Sequence, residues 1–288
     1  MLFGIKTSQQ DTDWADMLAV WTEADDIPVF TSAWNFDHFY PIYSDSTGEC
    51  LEGWTTLTAL AQATKRLRVG CMVTGIVYRH PAVLASMAST VDIISGGRLE
   101  FGIGAAWNEE ECEGYGIRLG TLTERFDRFA EACEVITGLL TQEVTTFDGR
   151  YYTLSEARNN PPGVQKPHPP ICIGGGGERR TLPLVARFAD HWNCPPDWDA
   201  PPGQVNTDGF RAKRDVLYEA CAAIGRPPGE IMISTHVRVP PDGSPGPVVE
   251  ACAGYAEAGM DLAICYLPPP HDPAVLEPLA EALSDLAD

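Results

Sequence analysis

The most regular run of apolar and polar positions lies between Arg68 and Gly116. Residues 68–74 read as a strand, and a turn follows through Tyr78, Arg79 and His80. Val83, Leu84, Met87, Val91 and Ile94 then recur at helical spacing, which places one stripe of a helix inward. Pro81 suits the first helical position, because its fixed φ is already helical and its missing N–H would be unpaired there. Gly96 and Gly97 end the helix. In residues 98–104, Leu99, Phe101 and Ile103 alternate with Glu100, Gly102 and Gly104, so a strand with bulky groups on one side and mostly small ones on the other is predicted. This is a βαβ unit. In a parallel barrel the bulky set would meet the helices and the glycines would leave lumen space near the strand's C-terminal end, where such barrels keep their active sites.

The same alternation runs along the chain. Strands are predicted at 2–7, 28–33, 171–173, 189–193, 230–239 and 261–266, and helices at 13–24, 51–64, 209–224, 247–258 and 273–286. Trp34 to Pro41 reads as an aromatic turn. Thr121 and Glu124 offer a capping box, and Leu122, Phe126, Phe129, Cys133, Ile136 and Leu140 behind them predict a long amphipathic helix. Residues 144–153, with Asp148-Gly149 between two short β-like runs, predict a hairpin. The proline-rich stretch 160–170 reads as an insertion within a barrel. About eight strands in 288 residues fit one α/β domain over residues 1–288, a closed (β/α)8 TIM barrel with loop insertions.

Composition narrows the function classes. No apolar run approaches the ~18 residues of a membrane span, and the N-terminal sequence lacks the charged-then-apolar pattern of a signal peptide, so a cytoplasmic protein is expected. The formal net charge of −20 argues against nucleic acid and anionic membranes as partners. Any polyanionic ligand would need local positive groups and backbone N–H donors to overcome that field. Nine cysteines, an odd number with no C-x-x-C pair, read as reduced structural thiols. His80, His168, His191 and His236 lack the spacing of a zinc site, and no metal is expected.

Four places carry candidate chemistry. Gly174 to Gly177 lie between a strand and a helix, where backbone N–H groups can converge on an anion with Arg179 and Arg180 adding charge. His38, after Asp37 in the aromatic turn, can donate to a cofactor or shuttle a proton, and Asp37 can accept from a heterocycle N–H. Trp107 can wall a flat apolar pocket while Asn108 fixes a polar edge. Glu109, Glu110, Glu111 and Glu113 read as a solvated helix start, where negative charge is favoured.

Tyr78-Arg-His-Pro81, Asp92, Ser95-Gly-Gly-Arg98, Gly102-Ile-Gly104, Trp107-Asn108 and Tyr115-Gly116 together resemble the bacterial luciferase-like monooxygenase superfamily, in particular its coenzyme F420-dependent oxidoreductases. Asp37-His38, Phe147-Asp-Gly-Arg-Tyr-Tyr152, Pro167-His-Pro-Pro170, the Gly174 run and Trp192-Asn193 match as well. The resemblance implies a flavin or deazaflavin across the C-terminal mouth. Asp37 and His38 would face its ring, Cys71, Met72 and Thr74 would lie at the strand end behind it, and Gly175, Gly176 and Gly177 would hold its phosphate. It also implies a non-prolyl cis peptide at Cys71-Met72, with Met72-Val73 next in line. Ala106 stands where relatives commonly have glycine.

The expected activity is hydride transfer between coenzyme F420 and a small organic substrate, with His38 handling the proton and Asp37 and Asn108 orienting. An FMN-dependent monooxygenase fed by a partner reductase is the first alternative, and a non-catalytic flavin- or deazaflavin-binding protein the second. A cofactor-reducing enzyme and a homodimer are compatible partners. The loops that shape the substrate pocket match no substrate signature.

Overall fold

The computed structural model describes residues 1–287. Its strands are β1 (Leu2–Lys6), β2 (Phe30–Asn35), β3 (Arg68–Cys71), β4 (Thr74–Gly75), β5 (Leu99–Gly104), β6 (Thr145–Asp148), β7 (Thr153–Ala157), β8 (Ile171–Gly174), β9 (His191–Cys194), β10 (Met232–Arg238) and β11 (Leu262–Tyr266). The large sheet runs β3-β2-β1-β11-β10-β9-β8-β5-β4, and the β3–β5 pairing closes the ring. β3 and β4 are two pieces of one barrel position: Val69 pairs with Leu99, and Thr74 with Ile103. Eight parallel positions with intervening helices make the (β/α)8 barrel that the alternation predicts.

Boundaries moved where neighbours override local pattern. Trp34 and Asn35, expected in the aromatic turn, complete β2 because they pair with Gly70 and Cys71 of β3. The hairpin β6–β7 extends to Ala157. The helix Leu122–Thr141 starts on the expected capping box, with Thr121 and Glu124 bonded reciprocally. The last helix is only Leu276–Leu283, flanked by single 3-10 turns.

Two apolar layers result. Leu99, Phe101 and Ile103 join the large core between barrel and helices, as their alternation predicts. A smaller cluster of Trp34, Met72, Cys172, Leu262 and Ile264 fills the lumen. The glycines do not leave the lumen empty. A Cβ at Gly70 would lie 2.5 Å from the Trp34 ring, one at Gly102 would overlap the Cys71 carbonyl oxygen, and those at Gly104 and Gly174 would lie 2.8 and 3.1 Å from Val73. Their missing side chains admit the Trp34 ring and the interrupted third strand. The non-prolyl cis peptide in that interruption is Met72-Val73, one bond later than the resemblance implies.

Below these residues the lumen is polar. Arg68 donates to Glu100, His191 Nδ1 lies 3.8 Å from Glu100 Oε2, and Ser234 Oγ lies 2.7 Å from His191 Nε2 and 2.9 Å from Asn193 Nδ2. Burial opposes a charge on His191, but Cys172 and the Glu100 carboxylate outweigh it and hold its pKa up at about 10. The two chemically distinct layers specify register, because a one-residue slip would carry Glu100 into the outer core.

The Gly102 contact is testable by Gly102→Ala. The methyl would meet a backbone carbonyl that cannot rotate away, so a loss of about 3 kcal/mol or more is expected. Gly229→Ala has open space around it and should stay within about 0.5 kcal/mol of the parent. Equal urea midpoints for the two variants would contradict this account of the third strand.

Candidate active site

A cavity of about 710 Å³ opens where the barrel strands end, within the range that holds a cofactor and a small substrate. Of the residues singled out in the sequence, Asp37, His38, Met72, Trp107, Gly175, Gly176 and Gly177 line it. Cys71, Thr74, Asn108 and Arg179 do not.

Each of those four has another place. The Cys71 thiol is buried, and burial pushes its pKa well up. Thr74 Oγ1 accepts from Trp54 Nε1 at 2.8 Å, so it fastens the strand end to the helix Gly53–Ala63. Asn108, expected to orient the substrate, is the N-cap of the helix Glu109–Gly114, its Oδ1 accepting from Glu111 N at 3.2 Å. Arg179 is exposed outside the cavity. The cation that reaches the glycine run is Lys213 from the helix Thr207–Ala223, whose Nζ donates to Gly176 O at 3.1 Å.

Glu111 is the main residue that the sequence reading misplaced. Its side chain is fully buried: Oε1 lies 2.7 Å from His38 Nδ1 and accepts from Tyr78 Oη, while Oε2 accepts from Phe39 N at 2.9 Å. Burial disfavours the carboxylate, but these donors outweigh it and hold Glu111 below its ordinary pKa. An ionised Glu111 fixes the hydrogen of His38 on Nδ1. Nε2, which no described residue bonds, then serves the cavity. The spacing Asn108-x-x-Glu111 marks a helix start but gives no sign that the carboxylate turns inward to His38.

Asp37 is fully buried, with both oxygens engaged by Arg79 at 2.5 and 3.1 Å, and Arg79 also reaches Glu52. Burial pushes the Asp37 carboxyl up while Arg79 pulls it back. Trp107 is 58% exposed, its ring 5.5 Å from that of His38 at 63°, and it borders the cavity. Ala106 has φ 65°, a left-handed conformation that explains why glycine suits this place, and Arg125 Nη1 donates to its carbonyl at 3.0 Å.

The glycine run fits a phosphate in a narrower way than expected. Gly175 N is taken by Asn193 O at 3.1 Å, which leaves the N–H groups of Gly176 and Gly177 for a ligand. Arg125, which also lines the cavity, has a buried Nε with no partner within the described residues. A guanidinium at the cavity wall with an unpaired N–H suits an anionic oxygen. No group of three or more potential metal ligands occurs among the described residues, and no described helix is long and apolar enough to cross a membrane.

Glu111→Ala would leave Tyr78 Oη, Phe39 N and His38 Nδ1 without their acceptor and should cost about 2–4 kcal/mol at neutral pH. Because the folded pKa of Glu111 is lowered, its contribution is present above the ordinary carboxylate range and is lost as pH falls through the folded value. The stability gap between parent and variant, measured by urea unfolding, should therefore shrink below about pH 4. A gap that widens on acidification would contradict it.

The comparisons agree with this fold. The luciferase-like monooxygenase model matches residues 2–250. An F420-dependent glucose-6-phosphate dehydrogenase of Amycolatopsis mediterranei is 29% identical over 189 residues, 65% of this chain and 54% of that protein. Pyrimidine monooxygenase RutA of Allorhizobium ampelinum is 27% identical over 186 residues, 64% of this chain and 48% of that protein. The chain spans 62% of the length of uncharacterized mycobacterial relatives that it matches at 31% identity. Among solved structures, an F420-dependent secondary alcohol dehydrogenase in complex with an F420-acetone adduct superposes with a TM-score of 0.85 at 18% identity, covering 100% of this chain and 99% of that one. With the matched model spanning most of a barrel that carries a lined cavity at its C-terminal mouth, this chain belongs to the luciferase-like monooxygenase family of enzymes.

Proposed function

We propose that this chain is an oxidoreductase that moves a hydride between coenzyme F420 and a small organic substrate. The observation that carries the reading is that one cavity is lined both by His38, held from behind by Glu111, and by Gly176, Gly177 and Arg125, with Lys213 bonded to Gly176 O beside it. The F420-dependent relative and structural neighbour support it. The resemblance to a pyrimidine monooxygenase supports the second reading, a monooxygenase using reduced FMN.

The bound deazaflavin would supply hydride chemistry at its C5 carbon. This chain's residues do the rest. Gly176, Gly177 and Arg125 would hold the cofactor phosphate, and Met72 and Val73 would back its ring. His38 delivers a proton from Nε2 to the substrate during reduction and accepts one there during oxidation. Glu111 keeps the ring in the right tautomer and stabilises the imidazolium. Trp107 and Phe126 limit water access over the mouth.

Fluorescence titration with F420, FMN and FAD separates the two readings: F420 should bind more tightly than either flavin, and preferential FMN binding would favour the monooxygenase. Gly176→Asp should weaken F420 binding at least tenfold in a folded protein, because the new carboxylate would repel phosphate and lie next to Lys213. Unchanged affinity would move the phosphate elsewhere. His38→Ala should lower turnover by about 10²–10⁴-fold and leave F420 affinity within a few-fold. Full turnover in that variant would remove His38 from the mechanism.

A further inference from the structure

The wall of the cavity formed by β1, β10 and β11 carries a cation that the proposed mechanism does not use. Lys6, 6% exposed at the end of β1, donates from Nζ to Met72 O at 3.0 Å and lies 3.2 Å from His236 Nε2 in β10. Its Nζ is 5.4 Å from the centroid of the Tyr266 ring. Among the described residues no carboxylate forms an ion pair with it. An ammonium has three donors, and the protein engages two. His236, 5% exposed, accepts from Lys6 on Nε2 and so carries its hydrogen on Nδ1, which has no partner within the described residues. Trp198 lies 5.3 Å from the His236 ring, and Tyr43 lies 5.8 Å from Trp198. Lys6, His236, Trp198 and Tyr43 all line the cavity.

A buried ammonium without a counter-ion is costly, and chains normally pair it. Here the ligand is the remaining source of an anion. We propose that this wall is a substrate-anchoring subsite for a carboxylate carried on a flat aromatic or conjugated molecule, with the carboxylate on Lys6 Nζ and the ring against Trp198 and Tyr43. The subsite would select substrates by charge, as a specificity determinant distinct from the proton-handling His38. That the bound acid is the substrate rests on the proposed function; the existence of the subsite does not.

Burial pulls the Lys6 pKa down to about 8. The groups facing it are His236 and, beyond it, His191, with Cys71 of β3, Cys172 of β8, Tyr43 and Tyr266. Burial and the neighbouring Lys6 keep His236 neutral, and burial holds the Cys71 thiol and both phenols protonated. Anion affinity should therefore hold at neutral pH and fall as pH rises above about 8.

The test uses benzoate and its uncharged analogue benzamide as probes, with tryptophan fluorescence of the cofactor-free chain as readout. At pH 7 benzoate should bind at least tenfold more tightly than benzamide. Lys6→Met should erase that preference, and in the parent chain benzoate affinity should drop about tenfold per pH unit above 8. Equal binding of the two probes, or a preference that survives Lys6→Met, would each overturn the proposal. The comparison of benzoate with benzamide in the parent chain needs no variant and so decides the matter even if Lys6→Met does not fold. Benzoate selectivity in a chain that fails to bind F420 would overturn the proposed function and leave the subsite standing.

Discussion

Close approach of the interrupted third strand to its neighbours is the constraint on which the site depends. The Cys71 carbonyl lies against the Cα of Gly102, and Val73 occupies the space left by Gly104 and Gly174. Met72 donates its N–H to Asn35 O and accepts at its carbonyl from Lys6. One short stretch is thereby tied to β1, β2, β5 and β8, and it forms the floor of the cavity. Any side chain larger than hydrogen at Gly102 would push that floor away from its neighbours, because interiors packed at this density do not absorb an added methyl locally.

Electrostatics inside the cavity run against the protein's overall charge. A chain of net charge −20 presents Lys6, Arg125 and Lys213 near the mouth, while the buried acids on the His38 side, Asp37 and Glu111, are occupied by Arg79 and by His38, Tyr78 and Phe39 N. Local donors at short range in a water-poor cleft outweigh a screened global field. An acidic surface is therefore compatible with the proposed anion cradle, and it also disfavours weak polyanionic competitors.

The division of labour around the mouth follows from topology. Groups after β2 and β5 gather around His38, those after β8 and in the helix Thr207–Ala223 gather around the glycine run, and β1, β10 and β11 supply the Lys6 wall. Each set comes from neighbouring strands or the connections that follow them, as expected where eight strand ends open on one face. His38 stands 73 positions from Glu111 in sequence and still meets it through this ring.

Periodicity, caps and turns are local properties of a chain, and they were legible. The alternation in residues 98–104, the Thr121 capping box and the glycine-terminated helix after Pro81 appear where the sequence places them, since each depends on residues within a few positions. His38 and the glycine run, both singled out in the sequence, line the cavity. Tertiary structure alone decided which charges matter. Glu111 looks like its solvated neighbours until His38 and Tyr78 close over it, and Lys213 is an ordinary helix lysine until it reaches Gly176. Lys6 reads as a polar strand end, and only the barrel brings it to Met72 and His236. The physical reason is that burial and ionic pairing are set by neighbours distant in the chain, whereas helix and strand period is written in the spacing of the residues themselves.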